Sequence, residues 1–421
     1  MGWMAHLCNS LKPDTMIFPE SGVTNDNPWL RRLPVLVLSH IVGTLNVVSV
    51  LAMAPVITGD LGLSAMMFGT FISAYYGAQA FGSLPAGSIT DRFGVGFTLV
   101  VAHVTMIVGA LVMAKASGYS ACVVGMVFMG LGYSLTNPSS ARGVLDWFPA
   151  ENRGLAMGIK QVGVPLGGIM AAGNGVLAEF YNWQDLMLGV ALLIGLNGGL
   201  CLTLVRFDIP VPCEERRNPL VNFGEIFRDW NFNIYTVLSG FLNAGQTNFF
   251  GFLTLFLTET ARATQPMAGF AMGMAQTLSA LARVFWGMAS DKAFNGRRTV
   301  LKAWICGVAV IFLGLMVFVE GEYAWFIGLA LTAGLGITIA SFAPVGQAIA
   351  VEAVEPRLVG SAVGYSMVGV HIGGFFGPVI FGAVFEWADS SFSAGWLATG
   401  GVTGLGVLML IFMFKEGRRE T

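Results

Sequence analysis

The chain has 421 residues, 55% of them hydrophobic and only 11% charged, with a net charge of −2. A soluble globular chain carries about 25% charged residues, so this composition belongs to a membrane protein. The near-neutral balance offers no basic field to nucleic acid. The five cysteines fall at no metal-type or disulfide-type spacing, so neither metal nor cofactor is expected.

Residues 1–32 are mixed and polar. No basic-then-apolar run precedes a small-residue cleavage site, so the segment reads as a cytoplasmic tail and not as a signal peptide. A transmembrane helix needs about 20 mostly apolar residues. Twelve such runs follow, at 33–58, 65–89, 97–114, 121–144, 155–178, 185–205, 234–257, 266–289, 300–319, 324–350, 360–385 and 394–414. The segment 206–233 is the one long charged interior stretch. It divides the chain into halves at 33–205 and 234–415, ahead of a short tail at 416–421. The expected fold is therefore all-α and polytopic, with twelve transmembrane helices in two pseudo-symmetric six-helix bundles. Lys and Arg gather in the loops on the side of the termini, while the opposite loops hold only Lys115 and Arg262. By the positive-inside rule both termini are expected in the cytoplasm, and the expected home is a bacterial inner (plasma) membrane.

Polar residues within the runs are few. The first run carries His40 and Asn46; the second carries Tyr76 and Gln79 and ends in GSITDRFG (87–94). His103 lies in the third. The fourth holds Tyr133 and Asn137, and Arg142 and Arg153 flank the turn that follows. The fifth opens as RGLAMGIKQVGVPLGG (153–168), where Lys160 is the one charge among apolar residues and glycine. Asn243 and Gln246 fall in the seventh run, Gln276 and Arg283 in the eighth, and His371 in the eleventh. The halves repeat: residues 154–168 and 360–374 are identical at eight of fifteen positions with a constant offset of 206. Repeated six-helix halves mark secondary transporters, whose substrate site lies near the midplane between them.

These residues resemble the major facilitator superfamily over nearly the whole chain. The family's loop after the second helix reads G-x-x-x-D-R-x-G-R-[RK]. Gly87, Asp91, Arg92 and Gly94 match it, while Val95 and Gly96 replace its final basic pair. The half-repeat GMASDKAF (287–294) supplies Asp291 and Lys292. The resemblance implies a charged gate at the cytoplasmic face that latches the halves, with Arg142 and Arg153 as candidate partners of Asp91. It also implies a monomer embedded in the lipid bilayer whose partner is a small-molecule substrate. Two departures stand out. Met126 occupies the place of an arginine common in proton-coupled relatives, and no acidic residue lies deep in a run, so no carboxylate proton relay is visible.

The intramembrane charges ask for an explanation, since each costs about 2.5–3.5 kcal/mol on insertion scales. Lys160 lies about 10 Å inward along its helix from Arg153, and Arg283 about 12 Å inward from Asp291. Two buried cations without a buried acid point to an anion held between the halves, gripped by the Arg283 fork and the Lys160 point charge. The alternatives are that Lys160 snorkels to the headgroups, or that these cations bond the carbonyls of a neighbouring helix end. The run RVFWGMASDK (283–292) resembles the eighth helix of monocarboxylate transporters, oxalate/formate exchangers and nitrate porters, in which the arginine binds the anion. Ser83 replaces the second arginine of nitrate porters, and Ser279 replaces an aspartate frequent in monocarboxylate transporters. His371 and His40 are the candidates for proton coupling; neutral histidines bonded between helices are the alternative. Asn46, Tyr76, Gln79, Tyr133, Asn137, Asn243, Gln246 and Gln276 are candidate cavity residues, or else helix–helix glue. Pro165 and its flanking glycines form a candidate hinge.

The leading expectation is a secondary transporter of a small organic anion of the carboxylate class, working by alternating access as a symporter or antiporter. Efflux of an amphiphilic drug or metabolite is the second reading, and a non-transporting sensor or assembly factor on the same fold is the third. No nucleophile–base pair appears, so an enzyme is not expected.

Overall fold

The computed structural model describes residues 27–209, 225–292, 294, 297–354 and 359–415; among them the chain is helical, with no strand. The N-terminal half runs α1 (Leu33–Ala52, continued by Ala54–Leu61), α2 (Ala65–Phe93), α3 (Val95–Ala114), α4 (Tyr119–Trp147), α5 (Ala150–Leu177) and α6 (Trp183–Leu202). The C-terminal half runs α7 (Trp230–Glu259), α8 (Gln265–Lys292), α9 (Arg298–Leu315), α10 (Ala324–Ile337 and Ala343–Glu352), α11 (Val359–Trp387) and α12 (Phe392–Phe412). Each expected apolar run is found as helix, with two interruptions, the first at Met53 within the run 33–58. The run at 324–350 is broken at 338–342, just ahead of Pro344. Proline lacks the donor that would continue the ladder and disfavours helix in the residue before it.

Eight helices are long and apolar enough to cross a membrane by length and composition alone: α1, α3, α4, α5, α6, α9, α11 and α12. The other four are α2, α7, α8 and the broken α10. Polar residues such as Gln79, Asn243, Gln246, Gln276 and Arg283 dilute the hydropathy of α2, α7 and α8, while the break leaves α10 with an apolar segment of only 14 residues. Helices that line a polar interior do not need an apolar face all round.

The internal repeat is a packing register. A side chain at Gly163 or Gly167 of α5 would collide with the α1 backbone at Val37 and Ile41. The matched positions Gly369 and Gly373 of α11 press on the α7 backbone at Thr236 and Gly240. Small residues at these places let the two helix pairs touch backbone to backbone. The next repeat glycine does a different job in both halves, because Gly168 faces the Gln276 side chain of α8 and Gly374 faces the Tyr76 ring of α2. The repeat thus joins each half internally and then sets it against the other.

The halves meet along α2–α11 and α5–α8. Gln265 Nε2 donates to the carbonyls of Ala52 (2.8 Å) and Gly175 (3.0 Å). Thr254 donates to Leu51 (2.7 Å), Ser73 to the Phe375 carbonyl (2.6 Å) and Ser64 to Glu386 (2.7 Å). All these contacts lie between the midplane and the face opposite the termini. Among the described residues, these bonds between the halves close the far side, and the face that carries the termini is the more open one.

Candidate functional site

The motif at 87–94 builds a local joint inside the N-terminal half. Asp91 Oδ1 accepts from Arg142 Nη1 at 3.4 Å, and Arg142 Nε pairs with Asp146 Oδ1 at 2.8 Å. Arg153 differs from expectation. It donates to the Leu145 (2.9 Å) and Phe148 (3.1 Å) carbonyls, and so caps the end of α4 with a positive charge where the helix dipole is negative. The Asp91–Arg142 pair spans α2 and α4, so in this state it ties one half together and does not latch two. The Arg92 guanidinium lies over the Phe93 ring, 5.1 Å from its centre. The side chains of Asp291 and Lys292 lie outside the described residues, as do 1–26, 210–224 and 416–421 of the expected tails and linker.

The missing basic pair of this motif has a physical account. Gly94 adopts φ +90° with its face against Asp208, whose carboxylate accepts from the Gly96 (2.6 Å) and Phe97 (3.0 Å) amides. Asp208 therefore satisfies free donors at the start of α3. A side chain at Gly96 would strike the Leu204 and Val205 backbone. The position is packed shut, with no room for arginine.

Arg283 occupies the break in α10. Its Nη2 donates to the Ala340 carbonyl at 3.1 Å. Ser279 Oγ (2.7 Å) and Gln246 Nε2 (3.0 Å) donate to the same oxygen, and Gln246 also reaches the Ile339 carbonyl at 3.1 Å. Trp286 Nε1 takes the Ile337 carbonyl at 2.9 Å. Carbonyls freed by a broken helix need such donors. A carbonyl oxygen has two lone pairs, and here three donors converge on it, so one of them is free to leave. Arg283 Nε is buried and has no partner, and no ion pair joins Arg283 to a described carboxylate. From the other half, Tyr133 lies close enough to Arg283 to interact electrostatically.

The other expected residues fall into two groups. The Tyr133 hydroxyl meets Thr44 Oγ1 at 3.3 Å. The Tyr76 ring lies 6.4 Å from His371, whose Nδ1 is buried without a partner. Gln276 lies against Gly168, and Gln79 is buried in α2. Asn46 is wholly buried, and neither atom of its amide has a partner. Unpaired buried amides are rare and call for an explanation. A second group serves the framework. Asn243 joins α7 to the Val370 carbonyl at 2.8 Å, and Gln246 holds the α10 break. His103 bonds the Leu99 carbonyl (2.7 Å) and Asn197 (2.8 Å), a packing role.

Lys160 and Arg283 are not brought together. Lys160 is 1% exposed and turns into its own half. Its Nζ donates to Asn137 Oδ1 (3.1 Å) and Ser140 Oγ (3.0 Å), and Ser140 in turn meets His40 Nε2 at 2.9 Å. The two cations share no partner. A further buried cation escaped the sequence reading: Lys302, whose place near the start of the ninth run fits a loop, is 1% exposed in α9. It donates to the Tyr235 hydroxyl at 3.1 Å, and that hydroxyl donates to the Gly346 carbonyl in the second segment of α10. Only the short reach from Arg297 and Arg298 could have pointed to it, and that spacing equally fits a loop.

The family model of the Major Facilitator Superfamily matches residues 36–338 and, in a second match, 236–421. A probable sulfoacetate transporter of Cupriavidus necator is 24% identical over 420 residues, covering 90% of this chain and 93% of that protein. A hexuronate transporter of Bacillus subtilis is 29% identical over 157 residues, covering 36% of this chain and only 37% of that protein. A solved D-xylose–proton symporter superposes with a TM-score of 0.74 at 16% identity, covering 93% of this chain and 99% of that one. That last likeness concerns the fold alone.

Proposed function

Since the chain belongs to the Major Facilitator Superfamily, and is thus a multi-pass membrane transporter and not an enzyme, we propose that its cargo is a small organic anion of the carboxylate class. One observation carries this reading. Arg283 is a fixed cation beside the half-to-half interface, its Nε unpartnered and no described carboxylate paired with it. An anion would take Arg283 as a fork, with Tyr133, Tyr76, Gln276, Asn46 and His371 as neutral groups around it. Relatives described as carrying hexuronate, sulfoacetate and nitrate or nitrite differ in shape but share the negative charge.

The break in α10 supplies the resting acceptor. Without cargo, Arg283 rests on the Ala340 carbonyl; with cargo, it turns to the anion while Ser279 and Gln246 keep that carbonyl satisfied. Occupancy draws α8 towards the N-terminal half, and the bundles 33–205 and 234–415 rock against each other. In this reading the termini and the open face are cytoplasmic, the membrane is a bacterial inner membrane, and the protein works as a monomer.

A thermal-shift screen of the purified protein in detergent tests the class. A ligand at a hundred times its Kd stabilises by about 2.7 kcal/mol. Stabilisation by sulfoacetate, hexuronates or other carboxylates, absent for neutral sugars and organic cations, is the expected result. Stabilisation by cations or neutral solutes alone contradicts it.

A further inference from the structure

We propose that Lys160, Ser140 and His40 form a one-proton site inside the N-terminal half, and that the proton held there is the ion coupled to anion movement. The second clause rests on the anion reading above; the first rests on the geometry of the cluster.

Lys160 and His40 are each 1% exposed. Lys160 Nζ has two acceptors, Asn137 Oδ1 at 3.1 Å and Ser140 Oγ at 3.0 Å, both neutral. Among the described residues no carboxylate bonds it. Asp146, the acid nearest in sequence to Ser140, is engaged by Arg142. A buried ammonium without a counter-charge is costly. His40 Nε2 lies 2.9 Å from the same Ser140 oxygen, and its Nδ1 is buried without a partner. Two bases therefore share one hydroxyl. Like charges so close, away from water, repel strongly, so the pair holds one proton between its members and titrates as a unit.

The Ser140 hydroxyl donates to the Asn137 carbonyl at 3.1 Å, and turning that proton to His40 Nε2 makes the site a relay, because a hydroxyl accepts and donates at once. Lys160 passes a proton from Nζ to Ser140 Oγ as Ser140 passes its own proton to His40 Nε2. One N–H bond breaks and one forms, the hydroxyl is regenerated, and the positive charge moves from α5 to α1. The groups facing this path are few. From α4 come Asn137, Ser140 and the Tyr133 ring, edge-on to His40 at 6.5 Å. From α3 and α6 come His103, Asn197 and Cys201, a network tied to Ser39 beside His40. From α8 come Gln276, against Gly168 of α5, and Arg283, a neighbour of Tyr133. Tyr133 thus lies edge-on to His40 and within electrostatic range of Arg283. An anion at Arg283 favours the proton on His40, and a proton on His40 favours the anion. A relay of bases so takes the part that no buried carboxylate is there to play.

Two measurements test this together. The first is a double-mutant cycle of Lys160→Gln and His40→Gln, read as melting temperature across about pH 5 to 9. A shared proton makes the coupling between the two positions change with pH, whereas a merely structural hydrogen-bond chain gives a flat coupling and overturns the site. The second uses proteoliposomes loaded with sulfoacetate or a hexuronate. The wild type should acidify or alkalinise with anion flux, while Ser140→Ala loses proton-driven accumulation by roughly tenfold or more and keeps anion counterflow. Anion flux without proton flux in the wild type, or Ser140→Ala carrying protons like the wild type, overturns the coupling. If neither anion moves at all, the anion reading fails, and the pH dependence of the cycle alone decides the proton site.

Discussion

Arg283→Gln separates the two jobs that the structure gives this side chain. Glutamine keeps much of the length and one donor for the Ala340 carbonyl but removes the charge. That carbonyl already accepts from Ser279 at 2.7 Å and Gln246 at 3.0 Å, so its two lone pairs stay satisfied. The expected loss of stability is below about 1 kcal/mol, the net worth of one ordinary hydrogen bond. The anion loses its charged partner in a desolvated place, which costs about 2–5 kcal/mol. At about 1.4 kcal/mol per tenfold, Kd should rise between roughly thirtyfold and several thousandfold. The assay is calorimetric titration with the anion that stabilises the wild type, alongside a melting curve without ligand. Unchanged affinity, or a large fall in melting temperature with intact affinity per folded molecule, would show that Arg283 is only a staple for the broken helix.

Further consequences follow from the packing and the caps. Gly373→Ala places a methyl group in the Gly240 carbonyl and should abolish folding, while Gly158→Ala, with nothing within 4 Å, should leave expression and melting unchanged on gel filtration. Asp208→Ala removes the acceptor at the start of α3 and should lower stability by about 0.5–2 kcal/mol, read by thermal melting, without altering anion affinity. Asn46→Leu should raise the melting temperature, because leaving a buried amide unpaired costs about 1–3 kcal/mol, and should weaken anion binding. A lower melting temperature with binding intact would mark Asn46 as framework.

The spans were legible because hydrophobic length is one-dimensional information, and the repeat was legible because its glycines meet a backbone. Gly163 and Gly167 against α1, and Gly369 and Gly373 against α7, are one contact written twice in the chain. Direction was harder to read. The depth of Lys160 followed from its spacing to Arg153, but which neighbour it faced depended on the rotation of α5, and it turned towards Asn137 and Ser140. The same limit hid Lys302, whose position near the start of α9 fits a loop as well as a buried bond to Tyr235. The family resemblance made Arg153 a candidate partner of Asp91, yet the open end of α4 took it. The break in α10 was not read from Pro344, and although a cation bonded to the carbonyls of a helix end was one of the alternatives, the spacing did not say that Arg283 would meet this break.

The most direct test of the central claim is uptake by proteoliposomes of radiolabelled sulfoacetate and a radiolabelled hexuronate, beside neutral D-xylose. The account predicts that at least one anion enters, that D-xylose does not, and that Arg283→Gln abolishes the entry while remaining folded. Entry of D-xylose with exclusion of both anions, or anion entry indifferent to Arg283, would contradict it.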